Sequence, residues 1–365
     1  MRLVCEPVAT HSNLPGVAQR AATMEVADDA DAVNRLFREQ RWTDGLPVVA
    51  PTTRRVELML RCTQRARDEV IATIPPFFGT ATVEHIEINA VMAGCDPEYL
   101  PVLIAAIEAV SAPEFNLQAV QTTTHPVSVF LIGNGPLVKR LGMNSGINCL
   151  GQGNWANATL GRALHLILQN IGGAIPGEMD LATQGQPGKY LFCCAENEQQ
   201  NPWEPLHVER GLRPEQSAVT VIGAEGTQNI NTHAKTADEV LHVFAETLAR
   251  PSSNDYWYGG NPWLRFGPEH AAILKAGGLD KAEVKRRLWA QSKLPASTLT
   301  ARDFGRMQTA RHTELGAITR DTLVPICARP EDLGIIVAGG PGTHSVNIAT
   351  FANTRSVTRE VIWAG

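Results

Sequence analysis

The sequence predicts an α/β fold, a layered, mostly parallel sheet with glycine-rich strand-end loops and a helical insertion. Three observations carry this. Short β-branched apolar runs alternate with amphipathic stretches along most of the chain. Three of those runs break directly into glycine loops. One long stretch, residues 268–312, reads as helical throughout, with apolar runs on either side of it. The spacing divides the chain into an irregular N-terminal arm over 1–27 and an α/β core over 28–254. A linker or lid with the helical insertion covers 255–312, and a C-terminal α/β segment over 313–365 rejoins the core.

The elements follow in order. "DDADAVNRLFREQRW" opens on acids and places Val33, Leu36 and Phe37 on one helical face. "GLPVVAPTTRRVELMLRCTQ" predicts a short strand and a helix capped by Thr52 or Thr53. "EVIATI" is a strand stopped by Pro75 and Pro76, and Thr80 or Thr82 opens a helix that ends at Gly94. After Cys95, Asp96–Pro97–Glu98 reads as a helix start ahead of the apolar "VLIAAIEAV". "PVSVFLIGNGPLVKRLG" is strand, glycine loop and short helix, and "ANATLGRALHLILQNIGG" is a long amphipathic helix. "KYLFCCAENE" and "SAVTVIGAEG" read as buried strands, "ADEVLHVFAETLA" as a helix, and "EVIW" as the closing strand. The aromatic, glycine-rich "DYWYGGNP" (255–262) is the candidate lid.

The glycine loops set the expected site. "VFLIGNGPL", "VTVIGAEGTQ" and "IIVAGGPGTHS" follow Ile132, Ile222 and Val337, and parallel strands would bring such loops to one ligand-facing edge. Gly135, Gly226, Gly340, Gly342 and Thr343 are therefore candidate substrate-binding residues, because glycines let backbone N–H groups converge on an anion. "GQGNWA" matches G-x-G-x-x-A, but the strand before it is short, Trp155 is bulky and no strand-end acid follows. The pattern predicts a plain anion site with Asn154 and Asn157 as donors or caps, and argues against a dinucleotide.

Cys95 sits one residue before a helix start, where a dipole end stabilises a thiolate, so it is the candidate nucleophile. His125 lies in a polar turn before a buried strand and His344 within the third glycine loop, and either is placed to act as general base. Glu196, just past a strand, and Glu209, in "HVERG", would orient that base or supply an acid. His207 and His233 join His125 and His344 as candidates for a metal site assembled from distant ligands, since no local metal motif occurs. Cys193 and Cys194, adjacent in a strand, point to opposite faces and make a poor metal pair.

With 44% hydrophobic and 19% charged residues the chain can bury a large core. A net charge of −5 with no basic–aromatic cluster argues against nucleic acid or an anionic membrane surface as partner. The sequence shows no signal-like segment and no apolar run near the roughly 20 residues of a membrane helix. Seven cysteines without CxxC spacing predict a soluble, reducing-compartment, cytoplasmic protein; self-association is left open.

The phrases "DGLPVVAPT", "INAVMAGCDPEYLPV", "TTHPV", "GINCLGQGNWANATLGRAL", "HVERG" and "GPEHAAILKAGG" together resemble a bacterial family associated with a small thiol or selenol domain named for a UGSC motif. The resemblance runs from about Asp44 to the end, although this chain contains no UGSC or CGSC string. It implies that Cys95 and the "NCLGQGN" loop are site residues, and it supplies no substrate or reaction. The residues themselves predict a small-molecule enzyme, of lyase or hydrolase type, acting on a carboxylate-bearing substrate through a cysteine or a His/Glu pair. Two alternatives stay open: a mononuclear divalent-metal enzyme, and a non-enzymatic protein that binds a small anion or metal. No cofactor identity follows from the sequence.

Overall fold

A computed structural model describes residues 1–5 and 21–363. Its centre is a strongly curled mixed sheet built from β1 (Ser128–Asn134), β2 (Cys193–Ala195), β3 (Ala218–Asn231), β4 (Trp263–Phe266), β5 (Gly334–Val337), β6 (His344–Thr350) and β7 (Val357–Glu360). The strand order is β5-β4-β6-β3-β1-β2, with β7 beside β6 on the same edge of β3. The expected α/β class holds, but the mostly parallel layering does not. Only the outer pairs β5–β4 and β1–β2 are parallel, while β4–β6, β6–β3, β3–β1 and β3–β7 are antiparallel. Apolar runs report burial on both faces, not strand direction, and that is why the pattern misled.

Burial on both faces is real here. Alternate residues of one strand enter different cores. Phe130, Ile132, Cys194, Ile222, Trp263, Ile336 and Ile348 fill the inside of the curl. Their neighbours Val129, Leu131, Val219 and Val221 face helices α1 (Val83–Ala93), α2 (Leu100–Val110) and α3 (Trp155–Asn170). Leu264, Phe266, Ile335 and Val337 face α4 (Ala237–Leu248), α5 (Pro268–Ala276) and α6 (Lys281–Gln291). The curl nearly brings the two sheet edges together. Asn197 N, just past β2, donates to Val337 O at the end of β5, at 2.7 Å.

Local chemistry explains the well-anticipated helices. Thr82 caps α1, whose end at Gly94 takes a left-handed φ of 89°. Asp29 and Thr52 cap the helices Ala30–Glu39 and Thr53–Leu60, and Thr236 forms a capping box with Glu239 on α4. The stretch expected to be helical over 268–312 holds α5, α6 and α7 (Ala301–Leu315) but is broken by the short strand Leu294–Pro295, which pairs with Leu323–Val324. Within the expected 255–312 linker and insertion, β4 belongs to the central sheet. Among the described residues no single helix is long and apolar enough to cross a membrane.

Four other expectations are corrected. Residues 2–5 and 22–25 pair as strands with Leu3 and Val4 buried, so the described part of the arm is ordered against the core; residues 6–20 lie outside the described residues. "DYWYGGNP" is not a lid. Asn254, Asp255 and Tyr256 are buried, and Asp255 accepts from Thr350 Oγ1 at 2.9 Å. The second glycine run is no loop, because Gly223 and Gly226 lie inside the 14-residue strand β3. The last strand is Val357–Glu360, ahead of the expected "EVIW", and leaves Ile362 69% exposed.

One buried acid makes a stability prediction. Glu87 on α1 is fully buried, and neither carboxyl oxygen has a hydrogen-bond partner among the described residues. Burial pushes its pKa up to about 8. The folded chain then keeps a proton that the unfolded chain releases near the ordinary carboxyl range. Stability from this group is therefore present at low pH and lost as pH rises toward 8. Glu87→Gln should remove about 2 kcal/mol of the fall in stability between roughly pH 6 and pH 8. Urea unfolding at the two pH values checks this; an unchanged slope would mean Glu87 is already ionised in the fold.

Candidate functional site

The segment "MNSGINCLGQGN" leaves the short helix Leu137–Arg140 and enters α3 as an asparagine-built loop. Asparagine suits this because its amide both donates and accepts and tolerates a left-handed backbone. Asn148 takes that conformation at φ 58°. Asn154 caps α3 by accepting from Asn157 N at 2.9 Å, and its Nδ2 donates to Gly142 O at 2.8 Å. Asn157 is buried in the first turn. Its Oδ1 accepts from Asn144 N at 3.0 Å, and its Nδ2 donates to Asn144 O at 2.9 Å and Cys149 O at 3.1 Å. Both residues were expected as anion donors or helix caps; Asn154 is the cap, and the two fasten the loop that carries Cys149.

Cys149 is thereby fixed against the inside of the curled sheet. Arg265, on the inward face of β4, donates from Nη1 to Cys149 Sγ at 2.9 Å. The Cys194 thiol of β2 lies beside the same sulfur and favours its thiolate as a donor. Of the two thiols it is Cys149 that Arg265 touches, and negative charge is favoured there. The Cys194 hydrogen bond and the Arg265 charge pull its pKa well below the usual cysteine value, against the opposing effect of burial. Cys194, bonded to that sulfur and buried, is pushed up and keeps its proton. Arg265 Nε is buried and has no partner among the described residues.

Cys149 and Arg265 form the wall of a cleft of about 310 Å³. Its other walls are Ile147, Asn229 and the turn Gly339–Gly342 with His344. The third glycine loop lines this cleft, with Gly340, Gly342 and His344 on its border. Ile147 lies so close to Gly340 that a Cβ there would come within 2.3 Å of it. The loop is not an open anion nest, however. Gly339 N donates to Ser145 O, and Gly342 N donates to Glu269 Oε1 at 2.7 Å. Thr343 lies beside the cleft and bonds His233 Nδ1 at 3.0 Å. His344 stands at the exposed rim, with Nδ1 3.2 Å from Asn229 Nδ2.

The other expected site residues lie elsewhere. Cys95 is buried in the core between helices, and burial, with Asp96 adding to it, pushes its pKa up to about 12. The expected dipole activation fails because the chain enters α2 through a 3₁₀ turn, Pro97–Tyr99, and desolvation of the sulfur outweighs it. Gly135 turns at φ 77° against Gln216 O, and its N–H meets Glu198 Oε1 at 2.6 Å, away from the cleft. Gly226 sits within β3. The three loops therefore do not converge, because the antiparallel order of β1 and β3 sends their ends apart.

His125 Nδ1 meets Glu225 Oε1 at 2.5 Å, beside Phe351. Burial pushes Glu225 up to about 7 and the imidazole down. Glu196 is a structural clasp, accepting from Asn134 Nδ2 at 2.6 Å, Leu206 N at 2.7 Å and Asn201 Nδ2 at 2.9 Å. Glu209 pairs with Lys281 and Lys285, linking "HVERG" to α6. His207 is buried near Glu198, with Nδ1 3.5 Å from Oε1. His233 and His344 both come near His270, apart from His125 and His207, and among the described residues no three His, Cys, Asp or Glu side chains are placed to hold a metal ion.

Sequence reasoning missed Arg265, Cys194 and Asn229, and reached Cys149 only through the loop flagged by resemblance. One signal was present: "WLRF" puts a lone arginine in an apolar strand, where an inward charge needs a partner. No protein-family profile, curated protein or solved structure matches the chain.

Proposed function

We propose that the chain is an enzyme in which the Cys149 thiolate attacks a small, carboxylate-bearing substrate. The observation that carries this is the Cys149–Arg265 contact on a cleft wall, which sets a guanidinium beside both the sulfur and the space. In this reading Cys149 forms a C–S bond at a substrate carbonyl carbon while the C=O π bond opens and its electron pair moves to the oxygen; the Cys194 thiol and Arg265 hold the sulfur ionised until then. The Arg265 guanidinium and Asn229 bind the carboxylate. His344, at the rim, returns a proton to the carbonyl oxygen. A cleft of this size accepts a small metabolite and little more. All seven cysteines are free, which supports the cytoplasmic reading.

Alkylation tests this directly. Native protein is treated with iodoacetate or iodoacetamide, and each cysteine is followed by peptide mass spectrometry. Cys149 should react first, and iodoacetate should outpace iodoacetamide there, because its carboxylate meets Arg265. Cys95→Ser should leave both results unchanged. Faster reaction at Cys62, the half-exposed thiol, or no preference for iodoacetate at Cys149, would overturn the reading.

A further inference from the structure

A larger cavity, about 650 Å³, opens between β1, α3 and the segment 176–190. Ser128, the first residue of β1, lies on its wall with Oγ 2.8 Å from His165 Nε2 of α3. His165 Nδ1 lies 2.8 Å from Gly161 O, one helical turn back. A carbonyl accepts only, so Nδ1 carries the imidazole proton and Nε2 presents its lone pair to the serine hydroxyl. Gly188 O, also 2.8 Å from Oγ, is a competing acceptor, reached by rotation about the Cβ–Oγ bond. Burial keeps the imidazole neutral, so the lone pair is free at neutral pH.

The surroundings define the ligand. Val120, Val127, Leu168 and Pro176 supply apolar wall. The charges nearby are already paired: Lys189 with Asp180, and Asp44 with both Nε and Nη2 of Arg162. Among the described residues no unbalanced charge lines the space, in contrast to the Cys149 cleft, which Arg265 lines.

We infer that this cavity is a second nucleophilic site, in which Ser128 attacks an uncharged ester with an apolar body and His165 takes the hydroxyl proton. The Oγ–C bond forms at the ester carbonyl, and the leaving alcohol departs with the proton held on Nε2. Water then adds to the acyl-serine carbonyl, giving a proton to Nε2. That proton returns to Oγ as the carboxylic acid leaves, so the serine and histidine end as they began. His165 is oriented by a backbone carbonyl instead of a carboxylate.

The test uses the full chain and an alkyl fluorophosphonate, with the adduct located by peptide mass spectrometry and p-nitrophenyl butyrate hydrolysis followed in parallel. Ser128 should be labelled, and Ser128→Ala should abolish both label and hydrolysis. His165→Asn, whose amide still donates toward Gly161 O but has no counterpart of Nε2, should slow labelling at least tenfold. Cys149→Ser should change neither, which separates this site from the thiolate cleft. No adduct at Ser128 in the native protein, or labelling indifferent to His165→Asn, would show the pair to be structural. Thermal unfolding of both variants establishes that a lost label is not a lost fold.

Discussion

Arg265→Met should slow alkylation of Cys149 at neutral pH by more than about tenfold, and should erase the preference for iodoacetate. Arg265 is a permanent charge whose Nη1 meets the sulfur at 2.9 Å. Methionine keeps much of the apolar stem but neither the charge nor the donors. Without the cation the sulfur loses both the charge and the donor that Arg265 supplies to the thiolate, while burial still opposes ionisation. One pKa unit corresponds to about 1.4 kcal/mol and a tenfold change in thiolate fraction when the thiol form dominates. Arg265→Lys should recover only part of the rate, because a shorter ammonium cannot reach both the sulfur and a substrate carboxylate. Site-resolved alkylation rates check all three proteins; equal rates in wild type and Arg265→Met would remove arginine from the account.

Trp263→Ala should cost about 3–5 kcal/mol of stability, a large share of the roughly 5–15 kcal/mol that holds an ordinary domain. The indole is fully buried inside the curl, and its ring lies over Gly334 of β5, where a Cβ would come within 2.1 Å of it. No neighbour can collapse into a space of that size without breaking the β4–β5 pairing. The effect should reach the site, since Arg265 is two residues along on the same face of β4. Urea denaturation gives the stability, and the Cys149 alkylation rate should fall with it. A loss below about 1 kcal/mol would mean that the inner cluster does not support the sheet.

Much of the fold was legible because helix ends are local chemistry. Asp29, Thr52, Thr82 and Thr236 announce helix starts through side chains that bond backbone a few residues on, and Gly94 announces an end. The sheet was less legible. Whether β1 runs with or against β3 depends on partners about 90 residues apart, and an apolar run carries no mark of direction. The glycines divided the same way. Gly340 and Gly342 do border the cleft, but Gly226 is a strand residue opposite the irregularity at Ala349/Thr350. Cysteine choice failed for a related reason. Cys95 has the better local motif, yet thiol reactivity is set by what folding brings close. Burial pushes Cys95 up, while Arg265, more than 100 residues from Cys149, pulls that thiol down.

The central claim is that Cys149 is ionised at neutral pH in the folded chain. The measurement that bears on it most directly is the pH–rate profile of iodoacetamide alkylation at Cys149 in the native protein, resolved from the other six thiols by mass spectrometry. The account predicts a midpoint well below the roughly 8.5 of a free cysteine, with Cys149 alkylated near its maximal rate at neutral pH. A midpoint at or above that of a free cysteine would contradict it.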